Sequence, residues 1–489
     1  MTIPRGCLLL VCTFLLLVGT ACRSSRQESK STSKGSMSPT DRAVGDMEKT
    51  GFRVGLHGVQ GRFDLAQQSG ATIQRAFLSW QKIEPEKGHY DFSRLDEVAR
   101  DAGDVGIDTI VTMRALSEWG SSPDTVGEYE NTWGEQQTKE RGKRSRAVAT
   151  RNSYPKEVDA WLRMLGKMVE RYDGDGQDDM PGLKRPIRHW QIENEVSWQW
   201  KGPMSSYVKL LRQSREVMRK ADPQAQIVLG AITAAQYFAL DAGLIKDPNM
   251  HITTPNGKRA VTVEEVRSNK IFRDKKKAVE TLFAEAGPYF DIADFHSYSN
   301  DAQFLSIQSA WMNSIMEKNG YTRPIWCLEC GGPVSDYSEA RHAEEVVKRL
   351  TVAFASRIST VLWSTLLPTN EFAQKYIDLS LVDNSGGKKA AFLAYQLMAR
   401  MAKECTEAKV IETSADVYAY ELSGPGGKRY WVGWAIEDRQ RLTVETDAVR
   451  RVQIYQAPYS KEKSVEVTVK NARETLPIST HPVVVESVD

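Results

Sequence analysis

The chain has 489 residues, 41% hydrophobic and 26% charged, with a formal net charge of +2, the make-up of a soluble enzyme with room for roughly two or three domains. That balance, with its basic residues scattered, excludes attachment to nucleic acid through overall charge, and the one basic run, KERGKR at 139–144, reads as a solvated loop. Beyond an apolar leader only Cys22, Cys327, Cys330 and Cys405 remain, which excludes a disulfide framework, and the lone C-x-x-C of Cys327 and Cys330 has no second pair to complete a zinc site.

At the N-terminus Arg5 precedes an apolar run from Cys7 to Val18, too short to span a membrane, which ends in Gly19-Thr20-Ala21-Cys22. This is the layout of an export signal. It resembles a bacterial lipoprotein signal, in which the Cys is lipidated, although Gly19 stands where that pattern usually has a larger aliphatic. The resemblance implies a signal peptide over 1–22, a membrane anchor at lipidated Cys22 and a place in the cell envelope, at the outer membrane or cell surface, with plain secretion as the alternative. Residues 23–45, rich in Ser, Thr, Lys and Gly, read as a flexible linker.

From about residue 50, eight apolar segments recur: FRVGLH (52–57), TIQRAFL (72–78), IDTIVTMR (107–114), IRHWQIEN (187–194), QIVLGAI (226–232), FDIADFH (290–296), PIWCLE (324–329) and STVLWS (359–364). Helical spacing appears between several of them, at 93–102, 158–172, 205–220 and 340–355. Alternating strands and helices predict a parallel α/β architecture. A doubly wound sheet competes, but no glycine-rich phosphate loop follows any strand. Polar residues instead gather at the strand ends (His57, Arg114, Glu195, His296, Glu329), as in a (β/α)8 TIM barrel with its site at that rim. The barrel is expected over 46–402. Residues 403–489 alternate in short β-rich runs between turns and predict an antiparallel β-sandwich.

Two glutamates end two different strands, Glu195 after the fourth and Glu329 after the seventh. Carboxylates facing one another across a cleft suit glycoside cleavage, where one donates a proton to the leaving oxygen and the other attacks or stabilises the sugar cation. Strand alternation alone leaves Glu193 and Glu195 on one face and does not choose between them. Arg75 lies inside an apolar strand and calls for a carboxylate partner. In the loop YDGDGQDDMPGL, Asp173, Asp175 and Asp179 alternate like the start of a calcium loop; however, the sixth position is not Gly and the twelfth is Lys184. A surface loop of Asx turns is the first reading there, a structural calcium the second.

Asn194-Glu195 within WQIENE, Glu329 within RPIWCLECGG, the segment WQKIEPEKGHYDFSRLDE (80–97), FDIADFHSY and VLWS together resemble the clan A glycoside hydrolases, retaining barrel enzymes that include glycosidase families 5, 10, 39 and 42. The resemblance covers about 50–489, with a trailing sandwich like that of family 39. It implies Glu195 as acid/base, Glu329 as nucleophile, Arg75 beside that nucleophile and Asn194 bonded to the sugar 2-hydroxyl. It carries His296 and Tyr298 toward the site and makes Trp363 an aromatic platform beneath the sugar. His57 and Arg114 are further candidates for the pocket, Glu193 is left behind the site, and Trp119, Trp133, Trp198 and Trp200 are candidate stacking surfaces. The implied activity is retaining hydrolysis of a β-linked oligo- or polysaccharide, without cofactor or catalytic metal. An inactive carbohydrate-binding barrel and a transglycosylase are the alternatives. The sugar itself is not legible, since the segments that would shape the cleft, 117–155 and 233–280, carry no readable contacts.

Overall fold

The computed structural model describes residues 51–122, 153–246, 250–252, 259–334, 336–368, 378–413, 416–438, 440–445, 450–469 and 473–488. The leader, Cys22, the linker, the KERGKR run and Trp133 lie outside the described residues.

Eight parallel strands close the barrel: β1 (Arg53–His57), β2 (Ile73–Ser79), β3 (Asp108–Arg114), β4 (His189–Ile192), β5 (Gln226–Val228), β6 (Ala293–Tyr298), β7 (Ile325–Gly331) and β8 (Thr360–Ser364). β1 pairs with both β2 and β8, and parallel bridges Val228–Ile292 and Ile232–Phe295 complete the ring between β5 and β6. The layer outside is built from helices α1 (Phe63–Ser69), α2 (Ser93–Asp104), α3 (Val158–Tyr172), α4 (Met204–Ala221), α5 (Lys270–Ala286), α6 (Phe304–Lys318), α7 (Glu339–Ala355) and α8 (Ala390–Glu404). Apolar residues at helical spacing explain the docking of each. In α3, Trp161, Met164, Leu165, Met168 and Val169 form one buried stripe, while Arg163 and Lys167 stay outside it.

The strands show period-two alternation. Ile73, Ile110, Val228, Ile292, Trp326, Leu328 and Leu362 point inward and make an apolar floor; their neighbours Val111, Trp190, Ile227, Cys327, Val361 and Trp363 point out to the helices. β1 approaches β2 closely at Gly55, where an added Cβ would meet the Ile73 carbonyl oxygen at 2.3 Å. Gly55→Ala is therefore expected to cost about 2–3 kcal/mol, since backbone rather than a mobile side chain would have to yield; urea unfolding of the two proteins measures it.

Beyond α8 the chain forms a six-stranded antiparallel sheet in the order β14-β13-β16-β11-β10-β9 and a two-stranded sheet of β12 and β15. The expected strands appear as β10 (Val417–Ser423), β11 (Arg429–Ala435), β12 (Gln440–Glu445), β13 (Arg450–Tyr455), β14 (Val465–Val469) and β16 (Val483–Val488). Two were not foreseen: β9 (Glu407–Thr413), a charged edge strand, and β15 (Arg473–Ile478), whose Pro477 argues against a strand unless it lies at an edge. One face of the larger sheet packs Trp431, Val452 and Val485 on Leu442, Val444 and Ile478. The other gives Tyr420, Tyr430, Val432 and Trp434 to the barrel's own core. Glu486 fastens this junction, accepting from Arg400 of α8 at 2.6 and 2.9 Å, Lys428 at 2.6 Å and Tyr455 at 2.7 Å.

Candidate active site

Above the apolar floor lies a buried polar layer drawn from four strands. Arg75 of β2 donates to Thr112 at 2.7 Å and to Gln191 at 2.7 Å, and Thr112 donates to Gln191 at 2.7 Å. Gln191 then donates to Asp294 at 2.7 Å, and Asp294 accepts the Leu328 backbone N–H at 2.9 Å. Each member is saturated by its neighbours, so the layer is a rigid platform.

Two departures from regular strand geometry lift the carboxylates onto that platform. In β7 one extra residue opposes both neighbouring strands: Asp294 and His296 face Trp326 and Glu329, while Val361 and Trp363 face Cys327 and Cys330. This bulge turns Glu329 inward directly after the inward Leu328. At the end of β4, Glu193 and Glu195 take positive φ values of 70° and 37°, a conformation costly for non-glycine residues that concentrates at functional sites. The two acids thereby lose their common face. Glu193 is buried and accepts the Ala115 N–H at 2.6 Å, whereas Glu195 reaches His296 and accepts from Gln199 at 2.8 Å.

The result is a compact cluster. Arg75 donates to Glu329 at 2.7 Å and to the Asn194 side-chain oxygen at 2.9 Å. With its oxygen occupied, the Asn194 amide keeps its NH2 as the group free to donate. Tyr298 donates to the second Glu329 oxygen at 2.9 Å. His296 Nδ1 lies 3.0 Å from Glu195 and 3.6 Å from Glu329, and its Nε2 is 3.5 Å from Asp294. One donor atom each from Glu195, His296 and Glu329 lies within 4.8 Å of the others.

The charges are mutually dependent. Burial would raise the Glu329 carboxyl, but the His296 and Arg75 charges outweigh it and hold it down at about 2. Burial would likewise lower His296; Glu329, Asp294 and Glu195 instead carry it up to about 10, so it is an imidazolium at neutral pH. His57, at the end of β1, is pushed down to about 4 by burial against the opposing pull of Glu329, and is neutral there. Burial raises Glu193 to about 7 despite Arg114 beside it.

Arg75, Asn194, Glu195, His296, Tyr298 and Glu329 thus converge, with His57 close enough to feel the same charges. Trp363 does not join them and is a correction. It is fully buried, its ring lies 5.6 Å from that of His342 on the helix side, and its N–H is spent on the Leu379 carbonyl at 2.9 Å. Alternation decides this, because Leu362 occupies the inward position. An exposed aromatic face at the mouth comes instead from Phe77, two residues beyond Arg75 on the inner face of β2, with the Arg75 and Arg114 guanidinium groups 5.2 and 5.7 Å from its centroid. Sequence reasoning missed Phe77, Thr112, Gln191 and Asp294; counting in twos from Arg75 and His296 would have found Phe77 and Asp294.

Of the tryptophans, Trp200 is buried and bonded to Ser206 at 3.1 Å, and Lys275 sits over Trp198 at 4.9 Å. Trp119 lines an open cleft of about 600 Å³ with Gln81, Pro85 and Glu157, on the rim and apart from the carboxylate pair. In the acidic loop, Asp173, Asp175 and Asp179 also bring oxygens within 4.8 Å of one another. Asp173 and Asp175 accept the backbone N–H two residues on, at 3.2 and 2.8 Å, the Asx-turn arrangement, and Asp179 accepts those of Gly174 and Gly176 at 2.9 and 2.8 Å.

Comparison with known proteins gives a consistent picture. Residues 57–217 match the model of glycosidase family 42, described as beta-galactosidase. The fold is similar to that of a family 39 glycoside hydrolase from the gut symbiont Bacteroides cellulosilyticus WH2, with a TM-score of 0.63 at 14% identity over 90% of this chain and 82% of that one. It is also similar to a family 39 enzyme from Xanthomonas axonopodis pv. citri (TM-score 0.57, 12% identity, 90% and 94% covered). A monomeric beta-xylosidase from Caulobacter crescentus CB15 gives 0.56 at 13% identity, with 90% and 96% covered. No curated protein matches the sequence. The resemblance to clan A glycoside hydrolases and the barrel-plus-sandwich architecture are borne out; at these identities the structural likeness is one of fold.

Proposed function

We propose that the protein hydrolyses a β-linked oligo- or polysaccharide by double displacement. The observation that carries this reading is the close approach of Glu195 and Glu329, with carboxylate oxygens within 4.8 Å, on an arginine-anchored platform. A nearest-oxygen separation no greater than 4.8 Å suits direct attack and falls short of the ~6.5–9.5 Å that an inverting enzyme keeps for its intervening water. Glu329, ionised and oriented by Arg75 and Tyr298, attacks the anomeric carbon. Glu195 delivers a proton to the leaving oxygen, with His296 at hydrogen-bond distance to resupply it, and then takes a proton from the water that releases the sugar. Asn194 donates to the 2-hydroxyl as positive charge develops on the ring.

The test is Glu195→Ala on a panel of aryl β-glycosides. Loss of the acid/base should slow poor leaving groups by about 10²–10⁴-fold and activated ones far less in the first step. Added azide, which needs no general base, should restore turnover and give a β-glycosyl azide. An α-azide product, or saturable binding with no turnover by the unmutated enzyme, would sink the proposal. We further propose export and attachment through lipidated Cys22, a reading supported by the leader sequence; no helix among the described residues is long and apolar enough to cross a membrane.

A further inference from the structure

The bulge that aims Glu329 inward has a second consequence on its outer side. Cys327 and Cys330 are three residues apart, yet they stand opposite Val361 and Trp363, which are two apart. Two strand steps put their Cα atoms roughly 6.6 Å from one another. That falls at the upper end of the ~4.4–6.8 Å that a disulfide spans. Both side chains leave the barrel wall on the same, helix-facing side, both are fully buried, and both are free thiols. Each thiol shifts the ionisation of the other. Cys327 also donates to the Glu329 backbone carbonyl at 3.4 Å, so one of the pair is tied to the bulge residue itself.

From this arrangement we propose that Cys327 and Cys330 are a disulfide-forming pair, closed by hydrogen peroxide across the backbone that carries Glu329. The partner chemistry favours Cys330 as the first to react. The neighbouring Cys327 sulfur and, against the opposing effect of burial, the guanidinium of Arg349, itself fully buried on α7, draw its thiol below the ordinary range. Cys327, raised by burial and by its neighbour, stays a thiol until it is needed. The Cys330 thiolate attacks one peroxide oxygen, forming an S–O bond and breaking O–O. The departing hydroxide takes a proton and leaves as water. Cys327 sulfur then attacks Cys330 sulfur; the S–S bond forms, the S–O bond breaks, and the leaving hydroxide carries off the Cys327 proton as a second water. Two thiols are oxidised and one peroxide is reduced. Closure withdraws the S–H from the Glu329 carbonyl and pulls in the outer arm of the bulge, so it displaces the carboxylate. Misplacing a reacting group by about 1 Å slows catalysis by up to about 10²-fold.

The full-length protein is treated with hydrogen peroxide, quenched, unfolded in iodoacetamide and mapped by peptide mass. The peptide holding both cysteines should be 2 Da lighter and unalkylated, and dithiothreitol should reverse this. Cys405, equally buried but away from the pair, should remain alkylated in the same sample. In Cys327→Ala the remaining Cys330 cannot close and should run on to the sulfinic acid. Full alkylation of both cysteines after a dose that oxidises free cysteine, or closure no faster in the native protein than in urea, would overturn the proposal. The activity loss rests on the hydrolase reading and the mass change does not, so a failure of either is told apart from a failure of the other.

Discussion

Replacing Glu329 with Gln is expected to lower kcat on an aryl β-glycoside by on the order of 10⁵-fold, the loss typical of removing a nucleophile from an intact site. The fold should survive, because the Gln carbonyl still accepts from Arg75, now 2.7 Å from the carboxylate, and the amide keeps the shape of the side chain. A circular dichroism melt beside the kinetic assay separates the two effects. Loss of less than about ten-fold would remove Glu329 from the chemistry.

The same variant tests the electrostatics. Glu329 is the foremost of the groups that raise His296, so in Glu329→Gln the imidazole should titrate well below the value of about 10 that it has beside the carboxylate. Imidazole NMR shifts followed against pH read this directly. The signs for the unmutated protein follow from the two directions. His296 has a raised folded-state pKa, so the stability it contributes is complete below its unfolded value near 6.5 and is lost as pH climbs through about 10. Glu329 has a depressed one, so its contribution is present above about 4.5 and is lost as pH falls through about 2. Neutral pH keeps both.

Much of this was legible in the sequence because it depends on local periodicity. The eight barrel segments stand out as short apolar runs ending in polar residues, and α3 is readable from Trp161, Leu165, Met168 and Val169 alone. The pair Asn194-Glu195 and the buried charge of Arg75 likewise announce themselves as an amide, an acid and a cation that an apolar strand would not otherwise hold. What escaped depends on irregular backbone or on partners far away in the chain. Strand alternation could not separate Glu193 from Glu195, since two positive φ angles divide them. Nor could it place Glu329 inward after Leu328, because the bulge adds a residue that no pattern of residue types signals. Trp363 was misplaced for the opposite reason: it obeys alternation, and only Leu362 in the floor shows which parity faces in. Gln191 and Thr112 read as ordinary strand residues until their side chains are seen to meet 79 positions apart.

Arg75→Met should be the most destabilising change in the site. The guanidinium is fully buried and satisfies Thr112, Gln191, Asn194 and Glu329 at once. Methionine fills much of the volume but takes the Arg75 N–H groups from all four: Gln191 keeps only the Thr112 hydroxyl and Glu329 only the Tyr298 hydroxyl. Breaking a buried charge pair from one side costs about 3–5 kcal/mol. The catalytic effect has its own signature. Losing the Arg75 charge removes one of the two main influences that hold Glu329 down, so the acid limb of kcat/KM should move toward neutral pH. Arg75→Lys makes the sharper comparison. It restores a positive charge, but its ammonium is a point donor that cannot span four partners on a planar fork. Lysine should therefore recover part of the melting temperature and most of the acid limb, while kcat stays about 10²-fold down because Asn194 and Glu329 are no longer held in one plane. Equal recovery of kcat and stability by lysine would mean that Arg75 serves only as a counter-charge, and that the orientation of the nucleophile comes from Tyr298 and the bulge of β7 alone.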